Sequence, residues 1–129
     1  MDALVYLDSF AAEYNQIGEL DEDVFSFNQR LASLNLKSNH IGSLPLDLSV
    51  WSHIKEINLS SNRLTTIPES IGALRNVVEL RLSNNKITEL PDQIGALKEL
   101  KVLELDENEL TYVSNYIGEC NQVNKFNLF

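Results

Sequence analysis

The sequence predicts an α/β solenoid, in which short parallel strands alternate with short helices or 3₁₀ turns along a repeating chain. Two observations lead to this prediction. Apolar residues recur at fixed places in a 23-residue period that runs four times, starting at Leu31, Ile54, Val77 and Leu100. Asparagine stands at the ninth place of every period. Agreement at one fixed period over this length is the signature of stacked structural units that cover one another.

Seven apolar places in each period define the predicted core. They are positions 1, 4, 6, 11, 14, 18 and 21, counted from each start, and every one is apolar in all four periods. The chain is 43% apolar, so chance agreement at all of these places has a probability on the order of 10⁻¹⁰. The period therefore reflects the fold.

The beginning of each period predicts a short strand over positions 2 to 6. Strand side chains alternate between two sides, so positions 4 and 6 face the core while positions 3 and 5 face solvent. Stacked periods place these strands side by side, which predicts a parallel sheet.

After the strand the chain must turn away from the sheet, and the asparagine at position 9 suits this turn. A buried Asn side chain bonds backbone groups that a turn leaves unpaired. Stacking lines these residues up as a structural ladder, which comprises Asn15, Asn39, Asn62, Asn85 and Asn108. Proline at position 15 of three periods fixes φ and ends the loop. The segment that follows predicts a short helix or 3₁₀ turn on the other side of the sheet.

The consensus LxxLxLxxNxLxxLPxxIGxLxx resembles the leucine-rich repeat family over residues 31–122. The resemblance implies a leucine-rich-repeat solenoid, a right-handed β-α superhelix with its parallel sheet on the concave face and short helices or 3₁₀ turns on the convex face. The Leu-Pro-x-x-Ile-Gly-x-Leu segment is similar to the 23-residue intracellular repeats of Ras-signalling scaffolds and their plant relatives, which implies a cytoplasmic scaffold or adaptor. Residues 31–122 are thus predicted to form four regular repeats.

Residues 1–30 allow two interpretations. Started at Leu7, the same template is matched through Asn15 and Ile17, which indicates a degenerate repeat of 24 residues. The alternative is an amphipathic helix that caps the first strand, because apolar residues also recur there at helical spacing. Its apolar stripe would be Leu4, Leu7, Ala11, Tyr14 and Ile17.

Residues 123–129 match the first strand of a further, truncated repeat, and no polar capping segment follows. Unpaired strand edges with apolar neighbours are templates for pairing with another chain. We therefore expect either a piece of a longer repeat protein or a homodimer formed through this uncapped end. The exposed apolar residues would be Phe126 and Leu128, with a rim of Val113, Ile117 and Cys120.

The net charge of −9 is concentrated at the two ends of the chain. Residues 1–30 carry seven acids and one base, whereas residues 31–99 carry seven of each. Nucleic acid and anionic membranes attract basic surfaces, so neither is an expected partner. No stretch approaches the roughly 18 consecutive apolar residues of a spanning helix, and no signal peptide is visible. We expect a cytoplasmic protein.

No catalytic, cofactor-binding or metal-binding motif is found in the sequence, which predicts that the protein is not an enzyme. His40 and His53 are isolated histidines without a second ligand at zinc spacing. Cys120 stands at position 21, an apolar core place in the other repeats, so a buried thiol is expected. The acidic runs at 21–23 and 106–107 lack the spacing and the glycine of an EF-hand loop.

What remains is a surface for protein binding, formed by the outward positions 3, 5, 7 and 8. It is polar, neutral at its centre, acidic toward the C-terminal end, and without large aromatic residues in the four repeats. The candidate partner-binding residues are Glu56, Asn58, Glu79, Arg81, Asn84, Glu104, Asp106 and Glu107. The sequence predicts a non-catalytic protein-protein interaction module, and its acidic end favours a basic partner. The alternatives are a substrate-recognition fragment of a larger kinase, phosphatase or ubiquitin ligase, and a self-associating structural module.

Overall fold

One parallel sheet runs through the whole solenoid. The computed structural model describes residues 7–26, 28, 30–120 and 125–127. Six strands pair in chain order, 24 residues apart between the first two and 23 thereafter. They are β1 (Ser9–Ala11), β2 (Ser33–Asn35), β3 (Glu56–Asn58), β4 (Glu79–Arg81), β5 (Val102–Glu104) and β6 (Lys125–Asn127).

The strands are shorter than the predicted positions 2 to 6, because only positions 3 to 5 form regular strand. The backbone nevertheless continues the sheet bonding by one residue. The N–H of Leu59, at position 6, donates to the carbonyl of Arg81 in the next repeat at 2.8 Å. Beyond this bond each chain turns toward the asparagine of position 9.

The convex side carries one 3₁₀ helix in each of the four regular repeats. They are η1 (Leu48–Trp51), η2 (Glu69–Ala73), η3 (Asp92–Ala96) and η4 (Asn115–Glu119). Pro68 and Pro91 precede η2 and η3 with φ near −69° and −68°, as the fixed proline ring dictates. In the first repeat Asp47 is the N-cap residue and accepts the N–H of Ser49. The hydrogen bonds from Ser49 hold the pKa of Asp47 below its ordinary value.

The hydrophobic core lies between the sheet and these helices, and it follows the seven apolar positions. Every one of those residues in the first three repeats is buried. In the last repeat Leu110, Val113 and Ile117 are half-buried. Each repeat is covered by its successor, and no further 3₁₀ helix follows η4 among the described residues.

The N-terminal segment enters the sheet as a strand. β1 pairs with β2, and the N–H of Ala12 donates to the carbonyl of Asn35 at 2.9 Å. The rings of Phe10 and Phe25 pack with centroids 4.9 Å apart. The alternative expectation, an amphipathic helix through Leu7 and Ile17, is wrong for residues 7–17. Sheet pairing satisfies the backbone there, while Leu7 and Ile17 pack on the core and Ala11 and Tyr14 are exposed.

At the C-terminal end, β6 pairs in register with β5. Of the predicted strand over residues 123–129, the structure describes the three central residues, and these form a strand. The side chains of Phe126 and Leu128, on which the expected self-association depends, lie outside the described part of the chain. Association through this end stays a prediction.

The glycine at position 19 reflects close packing between successive 3₁₀ helices. A Cβ atom on Gly95 would lie 2.7 Å from the carbonyl oxygen of Tyr116 in the next repeat. One on Gly72 would lie 3.2 Å from the Cβ of Gln93. At Gly118, the equivalent place in the last repeat, no described atom lies within 4 Å.

We expect Gly95→Ala to lower the free energy of unfolding by about 1–3 kcal/mol, because the added methyl group forces η3 and η4 apart. Gly118→Ala makes the same chemical change at the same position and should stay within about 0.5 kcal/mol. Urea denaturation followed by circular dichroism measures both values. Equal losses in the two variants would contradict the close approach of the helices.

Candidate partner-binding face

An asparagine ladder fixes the geometry of the loops that follow the strands. Asn85 shows the pattern: its Oδ1 accepts the N–H of Leu64 at 3.0 Å, in the preceding repeat. Its Nδ2 donates to the carbonyls of Leu59 and Leu82, both at 3.0 Å. Asn39, Asn62 and Asn108 repeat these bonds at equivalent positions. Every such residue thus ties two repeats together.

Asn15 occupies the first rung of the ladder with a reduced set of bonds. Its Nδ2 donates to the carbonyls of Ala12 and Glu13, both at 3.1 Å. The side chain is exposed, and its Oδ1 accepts from no residue that the structure describes. Among the described residues, Asn15 therefore stabilises only its own turn.

The residue just before each ladder asparagine lies on a continuous backbone row at the edge of the sheet. All of these residues adopt the left-handed conformation, with φ between 55° and 58°. In all but the last repeat, the N–H of this residue donates to the carbonyl of position 7 in the next repeat, for example Asn84 to Asp106 at 2.9 Å. We call this the position-8 row; its members are Tyr14, Ser38, Ser61, Asn84 and Glu107.

The outward positions 3, 5 and 7 of each repeat and the position-8 row together form what we call the strand face. Two shallow depressions lie on it, and they contain all eight of the predicted binding residues. The larger has a volume of about 420 Å³. Its lining includes Asn58, Arg81, Asn84, Glu104, Asp106 and Glu107. The smaller contains Glu56 and Glu79, together with Asn58 and Arg81.

Arg81 is neutralised by two carboxylates of the strand face. Its Nη1 lies 2.7 Å from Glu79 Oε2 on the same strand. Its Nε lies 3.3 Å from Glu104 Oε2 on the next strand. The parallel register places Arg81 beside Glu104, so the sequence repeat already contained the signal for this pair. The central arginine is therefore engaged within the molecule.

The C-terminal end of the strand face is acidic. Asp106 accepts a hydrogen bond from the hydroxyl of Ser83 at 2.5 Å. Glu107 is exposed, and its carboxylate has no hydrogen bond or ion pair with any described residue. Together with Glu104, these residues place three carboxylates in one depression that contains two basic residues, Lys37 and the paired Arg81.

Tyr14 adds an aromatic side chain that lies before the four regular repeats and was not among the predicted binding residues. Its N–H donates to the carbonyl of Lys37 at 3.0 Å, so its backbone belongs to the position-8 row. Its side chain is 71% exposed. The template started at Leu7 assigns Tyr14 to position 8, which is the signal that would have placed it on the face.

Cys120, the one cysteine, has the surroundings of a core residue. Cys120 is buried, and its Sγ contacts the carbonyl oxygen of Ile94 at 3.1 Å. Burial raises the pKa of this thiol, which favours its protonated, unreactive form. Within the described residues, no group of three acidic, histidine or cysteine side chains is arranged to hold a metal ion. The same residues contain no helix with the length and apolar character needed to cross a bilayer.

The described architecture is similar to that of other proteins of solved structure. One is the LRR ectodomain of the plant membrane receptor kinase GASSHO1/SCHENGEN3 from Arabidopsis thaliana, in complex with CASPARIAN STRIP INTEGRITY FACTOR 2. It is 29% identical, has a TM-score of 0.80, and the match covers 95% of this chain and 15% of that one.

Two further structures show the same likeness. The plant peptide hormone receptor RGFR1, in complex with RGF2, is 27% identical with a TM-score of 0.72, over 91% of this chain and 19% of that one. A chain of the BIR3–SERK2 complex from Arabidopsis thaliana is 28% identical with a TM-score of 0.71. That match covers 81% of this chain and 60% of the other.

The chain thus spans less than two thirds of the length of each of these structures. No curated protein sequence matches it. The family described as leucine rich repeat matches residues 30–87 and again residues 75–129. These two matches cover most of the sequence and coincide with the repeats that the sheet and the ladder define, so the chain belongs to the leucine-rich repeat family.

Proposed function

We propose that this chain is a protein-binding module whose strand face recognises a basic segment of a protein partner. The observation that carries the proposal is the acidic end of that face, where Glu107 is exposed and Arg81, in the same depression, is already paired with two carboxylates. Opposite charges steer encounter and select among partners. The similar structures, each of which is a complex with a partner molecule, support the general role.

The polar centre of the strand face suits a peptide backbone. Asn84 and Ser61 lie 3.2 Å apart through their side-chain Nδ2 and Oγ atoms, and both line the larger depression. Amides and hydroxyls both donate and accept hydrogen bonds. An extended segment would thus find backbone partners at the centre and a charge partner at the acidic end.

Selection from a phage-displayed library of random peptides tests this proposal. We expect the enriched peptides to contain Lys or Arg. The triple variant Glu104→Gln, Asp106→Asn, Glu107→Gln should bind them at least about tenfold more weakly, and its affinity should depend less on salt. Amide replacements are chosen because they keep a hydrogen-bonding group beside Arg81.

A matched control removes the same charge elsewhere. Glu69, Glu89 and Glu99 are exposed and lie at positions 16, 13 and 23, outside the strand face. Changing all three to glutamine should leave peptide affinity within about twofold of the parent value. Enrichment of acidic peptides, or equal weakening by the two triple variants, would overturn the proposal.

The similarity to the LRR ectodomain of a membrane receptor kinase supports a second candidate function. In it, the same face selects a partner on behalf of a larger enzyme. This candidate predicts the same effects of the charge variants on peptide affinity. It differs in requiring a catalytic domain on the same polypeptide, which sequencing of the complete transcript would reveal.

For location, we propose the cytoplasm. The proposal is supported by the similarity to intracellular repeats and by the single free thiol of Cys120. Fractionation of cells that produce the complete protein tests it. Recovery with the soluble cytoplasmic fraction is expected, whereas recovery at the cell surface, where receptor ectodomains lie, would contradict it.

A further inference from the structure

The strand face has two chemically different ends on one backbone row. Tyr14 stands at one end, exposed, and Glu107 stands at the other, also exposed. Between them, Ser38, Ser61 and Asn84 present small polar side chains. The row is continuous, because successive N–H to carbonyl bonds of 2.9–3.0 Å join each repeat to the next.

From this arrangement we infer that the partner is an extended segment with two anchors, a large apolar side chain on Tyr14 and a Lys or Arg at Asp106 and Glu107. The inference rests on the proposed function and adds the spacing and the second anchor. Tyr14 offers a rigid aromatic surface of the kind that is enriched among binding hot spots.

Sheet geometry fixes the spacing of the two anchors. Four strand-to-strand steps of about 4.8 Å separate β1 from β5, so the two ends of the row lie roughly 19 Å apart. An extended chain advances about 3.3 Å per residue. The apolar and basic residues of the partner are therefore expected about six residues apart, with the intervening backbone crossing the polar centre.

The left-handed backbone of Tyr14 suggests a substitution that removes the ring without harming the fold. Its φ is 58°, and asparagine tolerates this region better than most residues. Asn84 already occupies the equivalent place in another repeat with φ 55°. Tyr14→Asn is therefore expected to fold, and Tyr112→Asn, at a tyrosine that is 59% exposed away from the strand face, is its control.

The test uses peptides enriched on the parent protein from the random library. We expect most of them to carry a large apolar residue and a Lys or Arg about six residues apart. Tyr14→Asn should weaken their binding about tenfold, and Tyr112→Asn should leave it within about twofold. Replacing the apolar residue of the peptide by alanine should weaken binding to the parent protein equally, and should abolish any further effect of Tyr14→Asn.

Three results would overturn this inference, and they are distinguishable from one another. If the acidic triple variant weakens binding but neither Tyr14→Asn nor the alanine peptide does, the two-anchor inference fails and the proposed function stands. If the acidic variant also has no effect, the proposed function fails with it. Enriched peptides without a preferred spacing between apolar and basic residues would likewise contradict the inference.

Discussion

Leu64→Ala is expected to lower the free energy of unfolding by about 3–5 kcal/mol. Leu64 stands at position 11 of the second regular repeat and has 0% exposed surface. Repeats pack on both sides of it, and the Asn85 ladder bond holds its backbone in place. The surroundings are therefore prevented from collapsing fully into the space left behind, so the loss includes a cavity as well as the buried methyl groups. Urea denaturation gives the value.

The matched control is Leu110→Ala, the same change at the same position of the last repeat. Leu110 is only half-buried, so we expect a loss of about 1–2 kcal/mol. The difference between the two leucines measures how much a repeat depends on its successor. Similar losses at both positions would contradict stacking as the source of core stability.

The second large effect is expected from Asn85→Ala, at about 2–4 kcal/mol. Removal of the side chain leaves the buried N–H of Leu64 without its acceptor. It also removes one of two donors from the carbonyls of Leu59 and Leu82, which keep their bonds from the Nδ2 groups of Asn62 and Asn108. Each unsatisfied buried group costs about 1–3 kcal/mol, and some of this cost is recovered where water enters the turn.

Two variants bracket this prediction. Asn15→Ala removes the same residue type from the exposed first rung and should cost less than about 1 kcal/mol. Lys86→Ala, at an exposed neighbour of Asn85, should stay within about 0.5 kcal/mol. If Asn85→Ala unfolds at the same urea concentration as Lys86→Ala, the ladder is not a stabilising element.

The core could be predicted from the sequence because stacking imposes one period on seven positions at once. Leu34, Ile57, Leu80 and Leu103 are equivalent in the sequence pattern and are paired in register in the sheet. The weaker burial of Leu110 in the last repeat was not visible in this pattern. A leucine at position 11 fits the pattern equally well whether or not a later repeat covers its side chain.

The N-terminal segment could not be assigned from its sequence because two periodicities share its residues. Leu7 and Ile17 suit both a helical stripe and the repeat template. Long-range pairing decides between them: the carbonyls of Asn35 and Lys37 bond the N–H groups of Ala12 and Tyr14. A local pattern contains no information on that pairing, so Tyr14 was not recognised as part of the strand face.

The composition of the strand face was predictable, whereas its internal charge pairing required the structure. Alternation along a strand assigns Glu79 and Arg81 to the solvent side from sequence alone. Their ion pair of 2.7 Å depends on side-chain conformations that alternation leaves open. This pairing shifts the uncompensated charge of the face toward Asp106 and Glu107, and it supports the proposal of a basic partner.

The most direct test of this account is a map of amide chemical-shift changes as an enriched basic peptide is titrated into the isotope-labelled protein. We predict that the largest changes fall on the strand face, within residues 56–61, 79–84 and 102–107, and that they extend to Tyr14. The 3₁₀ helices on the opposite side, η2 and η3, should change little. Changes concentrated on those helices, with the strand face unaffected, would contradict binding through the strand face.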